Sequence, residues 1–136
     1  MARNGWHILT EPGGVTVSRA VPVRWDVAAE TVLPETVSPE TVLPETAPNA
    51  ARPLRVAHQV RQDVWRALRR QRGFAPAVRA VQVPDGLAVR AGGRVAAPHD
   101  AARLNAVIAA LLEMPTLRRR WLASARPRTA STRADR

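Results

Sequence analysis

Cysteine, lysine and tyrosine are absent from the 136 residues, and phenylalanine occurs once. Without cysteine, neither a disulfide framework nor a thiolate metal site is open to the chain. Without lysine, all 21 basic residues are arginine, set against 11 acidic ones for a net charge of +10. Richness in alanine, arginine, valine and proline, with no lysine or tyrosine, is what a GC-rich coding sequence produces. That explains much of the preference for arginine over lysine. It does not explain the excess of positive charge, because codon bias does not remove acids. Long apolar runs are also missing. The longest, Ala106 to Leu112, is seven residues, against about 20 for a spanning helix. The first residues, MARNGWHILTEPGG, carry an early arginine but no apolar core of signal-peptide length. The expectation is a cytoplasmic protein with no membrane segment.

The residues of catalysis are equally sparse. His7, His58 and His99 fall in three different segments. His58 and Asp63 are five apart on one helix and so point to different sides, which is not a metal pair. His99-Asp100 reads as a helix-capping region, Ser124 lacks the glycines of a nucleophile elbow, and Gly92-Gly93 is too short to cradle a phosphate. A non-enzymatic protein with no cofactor and no metal is expected.

What the chain does contain is one long amphipathic stretch, Arg52 to Gly73. On a helical wheel Leu54, Val56, Ala57, Val60, Val64, Trp65, Ala67 and Leu68 share an arc of about 180°. Arg55, Arg66, Arg69 and Arg70 lie opposite. Arg61 sits inside the apolar flank, where its methylenes can lie over Trp65 while the guanidinium reaches water. Pro53 is tolerated in a first turn, and Gly73 can take the left-handed conformation that closes a helix, followed by Phe74 and Pro76. Trp65 is expected in the core, not on a stacking platform.

Ahead of this helix, residues 1–29 read as an extended N-terminal β-hairpin. Glu11-Pro12-Gly13-Gly14 is the turn signal and Ile8 pairs with Val17. Pro22 ends the strand or places it at an edge. Residues 30–50 repeat ETVLP, ETVSP, ETVLP and ETAP. Proline every fifth residue forbids a helix and too few large side chains remain for a core, so a disordered, semi-extended linker is expected. The repeat carries four glutamates and no base. It reads either as a spacer or as an acidic strip that folds back and competes with the partner of the basic domain.

After the helix, Ala77 to Val95 alternates as a hairpin around Pro84-Asp85-Gly86. A three-residue loop pairs Val83 with Leu87 and Val81 with Val89, collecting the large apolar residues on one face. Gly92-Gly93 ends or bends the second strand. Asp100 caps the next helix, in which Leu104, Val107, Ile108, Leu111 and Leu112 form an apolar face. Pro115 opens a short last helix with Leu117, Trp121 and Ala125 together. Residues 126–136 read as a disordered basic tail. The fold class is α+β, with a small antiparallel sheet and three helices. The compact domain spans 51–125 in the order α-β-β-α-α, preceded by the hairpin and the Pro/Glu-rich linker. A domain of that size is at the low end for independent stability, which makes docking of the hairpin, or a homodimer, attractive.

Charge is the one functional signal. Residues 1–29 sum to +1, 30–50 to −4, and 51–136, with 18 arginines and five acids, to +13. Such a field attracts polyanions. The expected nucleic-acid contacts are Arg55, Arg66, Arg69 and Arg70 on the long helix and Arg118, Arg119 and Arg120 on the last one. Arg126, Arg128 and Arg133 extend the set into the tail. Arginine suits phosphate because its planar fork donates two hydrogen bonds at once. RRM aromatics, a KH loop and zinc-finger ligands are missing, so the expectation is nonspecific phosphate binding without base readout. The alternative is a protein–protein adaptor or assembly subunit that docks an acidic partner, with the N-terminal hairpin as its tethered docking strand.

Overall fold

The structure, a computed structural model, describes residues 2–3, 5–34 and 51–125. Its elements in chain order are β1 (Ala2–Arg3), β2 (Trp6–Glu11), β3 (Gly14–Ser18), β4 (Val27–Pro34), α1 (Ala51–Leu68), β5 (Ala75–Val83), β6 (Gly86–Arg94), α2 (Ala101–Leu112) and α3 (Pro115–Ala125). The strands form one sheet in the order β1-β2-β3-β5-β6-β4, antiparallel throughout. With its three helices this is an α+β fold.

The N-terminal hairpin turns at Pro12-Gly13 and sets Ile8 opposite Val17, the register that the turn signal implies. It does not stand apart. β3 pairs with β5 from Gly14–Val81 to Ser18–Ala77, so an element marginal on its own in water becomes part of the central sheet. The compact unit is therefore not confined to the α-β-β-α-α portion. The expected linker boundary also moves. The first pentapeptide, Glu30 to Pro34, is the second half of β4 and pairs with β6 as far as Pro34–Gly86. The rest of the expected linker, 35–50, and the expected tail, 126–136, lie outside the described residues.

β4 is an edge strand, and its outer rim is occupied by side chains. Asn105 Oδ1 accepts the Ala28 N–H at 2.7 Å, and Arg118 Nη2 donates to the Val32 carbonyl at 2.8 Å. Pro34 has no donor to offer. These devices take up part of the row of N–H and C=O groups through which an exposed edge would recruit another chain.

The β5–β6 hairpin departs from the expected register. Its loop is the two residues Pro84-Asp85, with Val83 opposite Gly86, Gln82 opposite Leu87 and Ala80 opposite Val89. The core face of β5 is thus Val78 and Ala80, both buried, while Val81 and Val83 are half-buried on the other face. Packing decides this. β5 lies centrally beneath α1, and small residues there let the helix approach the sheet while Val15 and Val17 of β3 fill the same layer. β6 also does not stop at its glycines: Gly92 and Gly93 continue the ladders to β4 and β5. A Cβ on Gly92 would fall 2.0 Å from the Val27 carbonyl oxygen, so the close approach of β4 requires glycine there.

A single core joins that sheet face (Val15, Val17, Leu33, Val78, Leu87, Val89) to Val56, Val60 and Val64 of α1, Leu104 and Ile108 of α2 and Trp121 of α3. α1 lies over β3 and β5, α2 over β4, and α3 against α1. Asp100 caps α2 as expected, its carboxylate accepting from the Arg103 N–H at 3.0 Å. Pro115 opens α3. α1 is shorter than expected. It ends at Leu68, and the Gln71 N–H closes a tighter turn onto the Leu68 carbonyl. Gly73 does adopt positive φ, at 67°, but one turn beyond the helix. Arg69 and Arg70 consequently sit past the last helical turn.

Candidate functional site

The buried residues of α1 occupy a wheel arc of about 140°, narrower than the apolar arc of the sequence, and this leaves two different flanks. Leu54, Arg61 and Trp65 form the flank toward the N-terminal hairpin, and Asp63 lies on the flank toward α3. Trp65 is consequently not a core residue: it is 43% exposed and stacks on Phe74 with centroids 6.1 Å apart and planes 7° from parallel.

Trp65 and Phe74 line a cavity of about 310 Å³ together with Trp6, Arg19, Arg61 and Pro76. The hairpin builds one wall. Extending its register past His7–Ser18 by one pair brings Trp6 opposite Arg19, and the Arg19 guanidinium lies 5.4 Å from the Trp6 ring centroid. Arg19 is held in place through its backbone, whose N–H donates to the Pro76 carbonyl at 2.9 Å. Gly5 makes room for it, since a Cβ there would come 2.8 Å from Arg19 Nη1, and its φ of 82° disfavours any other residue. From α1, Arg61 reaches over the same indole at 4.3 Å, not over Trp65 as the wheel implied.

Arg61 Nε donates to His58 Nδ1 at 3.0 Å. Burial, and then the adjacent Arg61 charge, hold the His58 pKa below its ordinary value. The imidazole is accordingly neutral, with its proton assigned to Nε2. Burial and the nearby Arg19 charge also lower the pKa of Arg61. Two cations therefore meet over one indole, and no carboxylate is among the residues that line the cavity. Stacking uses the π face of a guanidinium and leaves its in-plane N–H groups able to donate. The arrangement can receive a flat ring against Trp65 and an anion on the arginine edges.

The opposite flank is built around Asp63, which is 5% exposed. Its Oδ2 accepts from Trp121 Nε1 at 2.8 Å and from Arg120. Its Oδ1 faces Arg66 Nη1 at 3.4 Å. Trp121 is fully buried, so Asp63 satisfies the indole donor that burial would otherwise strand.

The nine arginines expected to contact nucleic acid do not converge. Arg55 Nε donates to the Ser124 carbonyl at 2.8 Å, tying α1 to α3. Arg66 and Arg120 share Asp63. Arg118 fastens the β4 edge, donating to Thr31 Oγ1, Leu112 O and Val32 O. Arg69, Arg70 and Arg119 are exposed, and Arg126 and Arg128, with Arg133, lie outside the described residues. The cavity draws instead on Arg19, Arg61, Trp6 and Trp65. The sequence signals that lead to them are the hairpin register, which sets Trp6 against Arg19, and the placement of Arg61 on an apolar flank.

On the sheet face away from the helices, Glu11, Arg79, Arg90 and Glu30 form a row of charges. Arg79 makes a bidentate pair with Glu11 at 2.9 and 2.7 Å, Arg79 stands opposite Arg90 in the ladder, and Arg90 Nε donates to Glu30 at 2.6 Å. The Arg79 hydrogen bonds lower the Glu11 pKa. This row is charge-balanced within itself. Among the described residues no group of three or more histidines and carboxylates is arranged to hold a metal. No helix of the described residues is long and apolar enough to cross a membrane. No protein-family model, curated protein or solved structure matches the chain.

Proposed function

We propose that this is a non-enzymatic nucleic-acid-binding protein that engages phosphates through arginine. The observation that carries the reading is the Trp6 cavity, where Arg19 and Arg61 lie over one indole and the lining holds no acid. An anion beside Arg61 offsets the unfavourable Arg19 charge next to it, and the net charge of +10 adds a long-range attraction to polyanions. The exposed Arg69, Arg70 and Arg119 supply outer phosphate contacts. Paired residues such as Arg118 belong to the scaffold. The adaptor alternative loses its main support, because the hairpin that would serve as a free docking strand is paired into the sheet along β5.

The test is binding of labelled DNA and RNA at about 50 mM salt, repeated as salt is raised. Affinity should fall linearly on logarithmic axes, with a slope of roughly −0.7 to −0.9 for each phosphate engaged. Arg61→Ala should reduce both the affinity and the slope. Absence of any shift with micromolar protein at low salt would sink the reading.

A further inference from the structure

We infer that the cavity between α1 and the β2–β3 hairpin is a subsite for one unpaired nucleotide of a single strand, its base against Trp65 and its phosphate on Arg61. This rests on the nucleic-acid reading and narrows it. A duplex keeps the faces of its bases stacked on one another and offers only groove edges and phosphates. An aromatic plate therefore has nothing to receive from a duplex, whereas each base of a single strand has a free π face.

Trp65, stacked on Phe74, is such a plate. The two rings are parallel to within 7°, and Trp65 is 43% exposed although it is among the largest apolar side chains in the protein. About 310 Å³ is at the small end of ligand pockets, the scale of one residue of a polymer and not of an extended helix. The two charges lie at the same cavity as the plate, so one nucleotide meets ring and guanidinium together. Arg61 keeps its terminal nitrogens for an anion, because it is Nε that bonds His58. Both arginines are held over Trp6, which limits the side-chain entropy lost when a phosphate arrives.

The experiment compares a labelled mixed-sequence single strand with the duplex formed from it and its complement, using the full chain at low salt. The expected result is that the single strand binds on the order of tenfold or more tightly than the duplex. Trp65→Ala should weaken single-strand binding by about 5- to 100-fold and duplex binding hardly at all, while Trp65→Phe retains most of it. The pair Arg69→Ala and Arg70→Ala should instead weaken both forms alike. Far-UV circular dichroism and melting confirm that each variant is folded. If Trp65→Ala fails to fold, Arg61→Gln and Trp65→Phe carry the comparison. Equal affinity for single strand and duplex, or unchanged single-strand binding by folded Trp65→Ala, overturns the subsite and leaves the nucleic-acid reading standing. Failure to bind either form overturns both. Tighter binding to polyglutamate or to anionic vesicles than to any oligonucleotide assigns the cavity to a different occupant and overturns it as well.

Discussion

On one flank of α1, Arg66, Arg120 and Trp121 gather around the carboxylate of Asp63; on the other, Arg61, Arg19 and Trp6 gather with no acid among the cavity lining. The residue types are the same and their states are opposite. Trp121 is fully buried while Trp65 is 43% exposed. The carboxylate makes the difference. Asp63 gives the indole N–H an acceptor and the guanidiniums a counter-charge, which lets α3 close over that flank. On the hairpin side no acid stands among the residues that line the cavity, and Arg61 and Arg19 lie over the Trp6 ring. The same chemistry thus serves as a fastening on one side and, in the proposed reading, as a receptor on the other.

The largest effect that would break this comparison is Trp121→Ala. Removing a fully buried indole from the α1–α3 seam should cost about 3–5 kcal/mol in a urea melt, with ligand binding unchanged in the protein that remains folded. Asp63→Asn should cost less, about 1–3 kcal/mol, because the amide oxygen can still accept from Trp121 while the charge facing Arg66 and Arg120 is lost. If Asp63→Asn left the melt untouched but abolished ligand binding, the two flanks would have been assigned the wrong way round. Gly5→Ala sharpens the other side. A Cβ pushed against Arg19 at positive φ should cost roughly 1 kcal/mol of stability and also weaken ligand binding, a combination that the Asp63 flank should not show.

The smallest effect is a pH dependence. Because the folded-state pKa of His58 lies below the ordinary 6.5, the unfolded chain binds a proton between those two values and the folded chain does not. Stability should be fully present above 6.5 and should decline as pH falls toward the lower folded value. His58→Gln should flatten that part of the curve. Glu11 and Asp26 act at still lower pH. The Arg79 side-chain hydrogen bonds lower the first, and the Val95 N–H bonded to its carboxylate, with Arg24 nearby, lowers the second. Their contributions hold above the ordinary carboxylate range and disappear as pH falls through the depressed values. Urea midpoints measured across pH in wild type and His58→Gln separate the two regions.

Several of these features were legible in the chain itself. The Glu11-Pro12-Gly13-Gly14 turn and the valine alternation determine the β2–β3 register, and Asp100 and Pro115 mark the starts of the last two helices. The β5–β6 register was not legible, because Ala77 to Val83 holds two interleaved apolar sets. The larger set, Val81 and Val83, attracts the reading. The smaller one, Val78 and Ala80, wins because a helix must pass close above a central strand. β4 was hidden by a different degeneracy. The pentapeptide Glu30 to Pro34 recurs letter for letter at 40–44, so nothing within it distinguishes a strand from a linker. The preceding Val27, on the same face as Leu33, and the open edge of β6 are what recruit the first copy.

For the site, net charge points to a polyanion but not to a place. Arginines are counted alike in a sequence whether they end on a backbone carbonyl, as Arg118 does, or over an indole, as Arg61 does. Asp63 is the residue whose role was least visible, since its partners Trp121 and Arg120 lie 58 and 57 positions away. Trp65 looked like core because the apolar arc of α1 is wider than the face that the sheet and α3 cover.

The most direct test sets Arg61→Ala beside Asp63→Asn, with single-strand affinity and urea stability measured on both at one salt concentration. The expected result is a crossed pattern. Arg61→Ala should lose about tenfold or more in affinity, as removal of a charged hydrogen bond does, with nearly native stability. Asp63→Asn should lose stability and keep its affinity. A parallel pattern, in which both variants lose stability and affinity in proportion, would contradict the division of α1 into a fastening flank and a receiving one.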